Sequence, residues 1–290
     1  MVSVEFDAIG TQWRIETGVA LSAALRRNVR DRIAAFEAVW SRFRADTLVA
    51  SMARSSGGGT FRFPDEADDL FALYDTLHRL TDGAVDPLVG RDLELLGYDA
   101  AYSLAPVASA HREPRSSWSH DIRREGTTLV SQRPLVIDVG AAGKGLLVDI
   151  VTKLLVDDGI LAVSVDAGGD MRLVGMEPVR IGMEHPFDAT LAIGVIEMAE
   201  GALCASGVGR RTWGDGLHHV LDGRTGRPAR ELVATWVRAD SAMIADGLAT
   251  ALFFTPPGDL AGSFAFSYAL MFADGRAEMS PCFGGELFID

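Results

Sequence analysis

Asp246 and Thr250 stand four residues apart in the stretch Ser241-Ala242-Met243-Ile244-Ala245-Asp246-Gly247-Leu248-Ala249-Thr250-Ala251-Leu252. On a helix that spacing puts both side-chain oxygens on one face. The surrounding residues are apolar on nearly every side, which predicts a buried helix. A buried carboxylate is costly unless a metal ion or a hydrogen-bond partner offsets the lost water. One carboxylate and one hydroxyl are hard oxygen donors of the kind Mg2+ takes, and Mg2+ keeps other positions for water and phosphate. A bond from Asp246 to backbone or to an arginine is the competing explanation.

Elsewhere Gly and Asp crowd together at the ends of apolar runs, where amides and carboxylates can meet a ligand. Thr81-Asp82-Gly83-Ala84-Val85-Asp86-Pro87 taken alone is a helix stop and a turn. Ile137-Asp138-Val139-Gly140-Ala141-Ala142-Gly143-Lys144-Gly145 resembles a phosphate loop but is not one. Gly145 occupies the place where such a loop needs Ser or Thr, and the spacing is too short. It still reads as a strand entering a Gly-rich helix start, which offers amides to a diphosphate or adenine. Lys144 can serve the diphosphate or pair with Asp138. Asp166-Ala167-Gly168-Gly169-Asp170 reads as a hairpin, either approached closely by a ligand or simply carrying solvated aspartates. In His218-His219-Val220-Leu221-Asp222, strand alternation would separate His219 and Leu221 from His218, Val220 and Asp222. A triad of Ser206, His219 and Asp222 lacks the G-x-S-x-G turn of a serine hydrolase. Arg224 and Arg227 can bridge the following turn to nearby carboxylates.

The elements that must position these residues follow from periodicity. Val2, Val4 and Phe6 alternate, as do Trp13 and Ile15 beyond a Gly10 turn. Helical spacing runs from Leu21 to Trp40, again from about Asp65 to Leu80, from Gly143 to about Asp157, and from Ser241 to Phe254. Strands are expected at 127–130, 135–137, 160–165, 171–174, 179–183, 191–196, 217–221, 232–238 and 268–272. The mixture predicts an α+β (mixed α/β) fold without regular alternation. The 290 residues carry 27 Lys and Arg against 40 Asp and Glu, a net charge of −13. Nucleic acid is therefore not an expected partner, since a phosphate backbone calls for clustered basic residues. Cys204 and Cys282 make neither a disulfide framework nor a metal spacing. No run reaches the roughly 18 apolar residues of a membrane span. The N-terminus shows no basic start followed by an apolar run, so a cytoplasmic location is expected.

In this order, the motifs resemble the FAD:protein FMN transferase family (ApbE-type flavin transferases), from Ile9-Gly10-Thr11 through Ser41-Arg42-Phe43-Arg44 to Leu248-Ala249-Thr250-Ala251-Leu252. The resemblance covers most of the chain. It implies one compact domain over 1–290 with two intimately packed lobes, connected near 105–117. It implies Mg2+ held by Asp246, Thr250 and the backbone carbonyl of Ala141. Flavin and adenine contacts would fall at Ile9, Phe43, Ala84, Val85, Asp86, Asp138 and Val220. His219 would be the catalytic base or a diphosphate contact, beside Asp246. The implied reaction cleaves FAD, attaches FMN through a phosphoester to a Ser or Thr of an acceptor protein, and releases AMP. Departures include Ile9 for the family's usual Met, and Gly223 for the Pro that usually follows the motif's Asp. An FAD pyrophosphatase and a non-catalytic flavin binder are the alternatives.

Overall fold

Strict alternation opens the chain as a hairpin. Val2–Ala8 pairs antiparallel with Thr11–Thr17, and Trp13, Ile15 and Thr17 are buried. The two turn residues, Ile9 and Gly10, have φ of 46° and 73°. A two-residue hairpin turn of this hand requires positive φ at both positions. Glycine adopts it without cost, whereas a β-branched residue is strained there. The structure, a computed structural model, describes residues 1–107 and 115–288.

The helices in chain order are α1 (Ala23–Trp40), α2 (Leu48–Arg54), α3 (Ala67–Leu80), α4 (Gly90–Leu95), α5 (Trp118–Asp121), α6 (Gly143–Asp157), α7 (Ala242–Ala251) and α8 (Pro257–Ala261). In α1 the stripe Leu25, Val29, Ile33, Phe36 and Trp40 is buried, as its spacing predicts. None of the helices among the described residues is long and apolar enough to cross a membrane. Helix and strand take comparable shares, 30% and 31%, so the fold is α+β (mixed α/β).

The chain divides into two compact units. The first comprises Met1–Ala34, Ala142–Arg210 and Arg230–Asp290. Its frame is an eight-stranded antiparallel sheet that begins with the N-terminal hairpin. Val163–Ala167, Asp170–Val174, Gly201–Gly207, Leu232–Ala239, Ser267–Phe272 and Ala277–Met279 follow in spatial order. Helices α6 and α7 pack on each other and on this sheet. A small sheet of Val179–His185, Asp188–Met198 and Gly285–Leu287 joins the same unit. Met183, Ile196 and Met198 from it share a core with Leu173, Leu203 and Trp236.

The second unit comprises Ala35–Ala141 and Arg211–Ala229. It holds a three-stranded sheet (Gly59–Arg62, Arg123–Glu125, Thr128–Ser131) and α2 to α5. Residues 105–117 lie within its span, and 108–114 of them fall outside the described residues.

Two expected strands differ. Residues 135–137 have no regular secondary structure and pair with no strand among the described residues. The expected strand at 217–221 is broken: Leu217–His218 pairs with Thr212–Trp213, and Leu221–Asp222 pairs with Arg227–Pro228. His219 and Val220 form the bend between them, so alternation does not assign their faces.

Candidate functional site

In the first unit Asp246 is 1% exposed, as the apolar setting of α7 predicts. Its Oδ2 accepts the Gly145 N–H at 3.0 Å, from the first turn of α6. The two helices meet closely here, because a Cβ on Gly145 would collide with the Ala242 carbonyl and lie 2.8 Å from the Asp246 Cβ. Only glycine permits that approach. Lys144 Nζ lies 3.8 Å from Asp246 Oδ1 and makes a tight ion pair with Asp170 Oδ2. The competing explanation for Asp246 therefore holds in part: backbone and a cation, lysine rather than arginine, accompany it. Lys144 pairs with Asp170 and not with Asp138.

Asp170 is fully buried, not solvated, and its Oδ1 has no hydrogen-bond partner among the described residues. The preceding turn is the expected hairpin. Asp166 Oδ1 accepts the Gly169 N–H at 2.9 Å, and the Gly169 carbonyl accepts the Ala205 N–H at 3.0 Å. Gly168, at φ 66°, packs against the Thr11 hydroxyl, so the Ile9-Gly10-Thr11 tip and the Gly-Gly turn adjoin. Cys204 faces the same centre and donates its thiol to the Ala242 carbonyl at 3.3 Å. Burial raises its pKa well above the usual thiol value, and Asp170 and Asp246 add to the effect. Burial also works against the Lys144 ammonium, but Asp170 and Asp246 outweigh it and raise the lysine pKa. The centre thus holds two carboxylates and one firmly protonated lysine.

Asp149 of α6 reaches the start of α7. Its oxygens accept from the Ser241 hydroxyl at 2.8 Å, the Ala242 N–H at 3.0 Å and the Met243 N–H at 2.9 Å. These satisfy amides that a helix start otherwise leaves open. Thr250 lies one turn beyond Asp246 on α7 and is partly exposed.

In the second unit, Asp138 Oδ2 accepts from Arg42 Nε at 2.6 Å, and Oδ1 accepts the Gly140 N–H at 2.7 Å. Burial alone would raise the Asp138 pKa, but Arg42, helped by that amide and by Arg211, holds it below the usual carboxylate value. Two of the amides expected to face a diphosphate, those of Gly140 and Gly145, are therefore occupied by carboxylates. Arg42 also donates to the Tyr98 carbonyl at 2.8 Å, and its guanidinium stands 4.2 Å from the Phe43 ring centre. Phe43 stacks with Tyr102 at 5.2 Å, and Tyr98 stacks with Trp213 at 5.5 Å.

Ala84 and Val85 are buried, and Asp86 acts as a cap. Its Oδ1 accepts the Leu88 N–H at 2.8 Å and its Oδ2 accepts the Trp118 N–H at 2.9 Å. The Ala84 carbonyl accepts the Gly223 N–H at 2.8 Å, which draws the 222–226 turn onto this loop. Arg224 does bridge its turn, gripping Asp222 at 2.7 Å. His218 is buried against the Ala229 carbonyl at 2.9 Å, and burial lowers its pKa. His219 is partly exposed at the neighbouring bend, and Val220 is buried. Ala141 also lies in this unit, whereas Ile9, Asp246 and Thr250 lie in the first.

These motifs fall inside one continuous match, residues 9–264, to the ApbE family. The chain belongs to the ApbE family. The FAD:protein FMN transferase of Vibrio cholerae is 29% identical over 268 residues, covering 87% of this chain and 80% of that protein. That of Rhodobacter capsulatus is 30% identical over 87% of this chain, which spans 51% of that longer relative. Among solved structures, the ApbE protein of Thermotoga maritima superposes with a TM-score of 0.83 at 24% identity, covering 97% of each chain. The flavin transferase ApbE of Vibrio cholerae gives 0.79 at 25% identity, also covering 97% of each chain.

Within this ApbE chain, sequence reasoning misses two positioning carboxylates. Asp149 reads as one polar residue on an apolar helix, and only the close α6–α7 packing reveals its three acceptor bonds. Asp170 reads as half of a hairpin pair, either approached closely by a ligand or solvated. Its place directly before the apolar-rich Met171-Arg172-Leu173-Val174 run is the available signal that it sits inside a sheet.

Proposed function

We propose that this protein transfers the FMN half of FAD to a Ser or Thr hydroxyl of an acceptor protein, with Mg2+ as cofactor. The observation that carries the reading is the buried Asp246 carboxylate, one helical turn before Thr250, in a chain that matches the ApbE family over residues 9–264. The donors fit a hard divalent ion, and Oδ1 of buried Asp170, which has no hydrogen-bond partner among the described residues, leaves an acceptor at the same centre. No cluster of three or more His, Cys, Asp or Glu suited to a metal exists among the described residues. A site of two side chains completed by phosphate suits Mg2+, which is often held by few carboxylates. When bound, Mg2+ would neutralise charge on the diphosphate.

The chain's own residues then divide the work. Asp246 and Thr250 would hold the ion. Ile9, Phe43, Ala84, Val85, Asp86, Asp138 and Val220 form the flavin and adenine contacts, with Ala84 and Val85 acting through backbone. Asp138, kept ionised by Arg42, accepts hydrogen bonds at the nucleotide. His219 takes the proton of the acceptor hydroxyl as its oxygen attacks the phosphorus on the riboflavin side. The bond from that phosphorus to the AMP oxygen breaks, and AMP leaves with the electron pair.

The test is FAD turnover with and without a divalent ion. Exhaustive chelation should abolish it and Mg2+ should restore it. Asp246→Ala should remove metal-dependent turnover almost completely, while Thr250→Ala should lose less, because water can replace a neutral ligand. Full turnover after chelation would exclude the metal-dependent reading.

A further inference from the structure

Asp170 has no part in the reaction scheme, yet it is fully buried and its ion-pair partner is Lys144. The same ammonium lies 3.8 Å from Asp246 Oδ1. Lys144 therefore stands between two carboxylates and contacts one of them much more closely. Asp246 keeps its other oxygen on the Gly145 amide at 3.0 Å, so its orientation does not depend on the lysine. A lysine ammonium and a divalent ion compete for the same carboxylate, and in a buried setting the competition is strong.

We propose that Asp170 is a positioning residue that draws Lys144 aside from the Asp246 carboxylate, so that the ammonium competes less with a divalent cation there. This rests on the reading of Asp246 as an Mg2+ ligand. The surroundings of Asp170 offer it no other role. It lies on the helix-facing side of the Asp170–Val174 strand, opposite Cys204, and its second oxygen has no partner among the described residues. Replacing it by asparagine keeps the size but removes the charge. Lys144 is then left with Asp246 alone and occupies it.

The test is a calorimetric titration of the metal-free full-length protein with Mg2+ alone, so the readout is affinity rather than activity. Asp170→Asn should weaken Mg2+ binding about tenfold or more, within the range of couplings between neighbouring charges. Adding Lys144→Met to that variant should restore binding to within about threefold of the original. Lys144→Met alone should bind Mg2+ more tightly than the original, which serves if Asp170→Asn does not fold. A purely structural Asp170 would leave the double variant as weak as the single one, and that result overturns the proposal. Unchanged affinity in Asp170→Asn, or unchanged or weaker affinity in Lys144→Met, overturns it too. If the original protein takes up no Mg2+ at all, the metal reading fails along with it, so the two failures are distinguishable.

Discussion

Two adjacent histidines in this chain have opposite characters, and the difference is physical. His218 is buried, bonded to the Ala229 carbonyl, and held neutral by burial. His219 sits at a bend, partly exposed, with no strand pairing to hold it among the described residues. A general base must reach its proton, which favours His219. His219→Ala should therefore slow FMN transfer by about 10²-fold, the scale of a lost general base, while FAD affinity changes far less. A lowered melting temperature with full activity per folded molecule would make it a structural residue instead. At this scale the burial of Asp246 was legible. Asp246 is buried, as the apolar residues around it dictate. The partners of the charges were not: Lys144 chose Asp170 over Asp138, and Arg42 took Asp138, pairings that join residues distant in sequence.

The helices α1, α3, α6 and α7 were readable because each carries a sustained apolar stripe or run. The short α2 was not, since seven residues beginning at the Thr47 cap give too little periodicity to register. The 217–221 run fails as a strand because the chain bends at His219, beside the ring of His218 that is tied to Ala229. Residues 135–137 are apolar, but composition cannot announce whether a neighbour will pair with them. The α6–α7 contact is the element-scale feature that matters most to the site. Gly145 allows it and Asp149 fastens it through the α7 start. Asp149→Ala should lower stability by about 2 kcal/mol, the upper end for a lost helix cap. Thermal or urea unfolding reads this directly, and a change below about 0.5 kcal/mol would mean that water replaces the cap.

For the whole molecule, a net charge of −13 offers no long-range attraction to an anionic dinucleotide. Binding must come from local cations, amides and apolar walls, and two of the expected amides are already taken by Asp138 and Asp246. That places more of the burden on a metal ion and on the firmly charged Lys144. The fold class was legible from the mixture of periodicities. Two lobes were an expectation of the family resemblance, but which stretches build each unit was not legible, because each is assembled from separate parts of the chain. The central claim, transfer to a protein rather than to water, is tested most directly by following two products in one incubation. The protein is mixed with FAD and Mg2+, with or without a panel of acceptor proteins bearing exposed Ser or Thr. AMP and covalently protein-bound flavin are then both measured. The account predicts that AMP release rises with a competent acceptor and matches bound flavin one for one. AMP released equally fast without any acceptor, with no flavin attached to protein, would contradict it and leave a hydrolase.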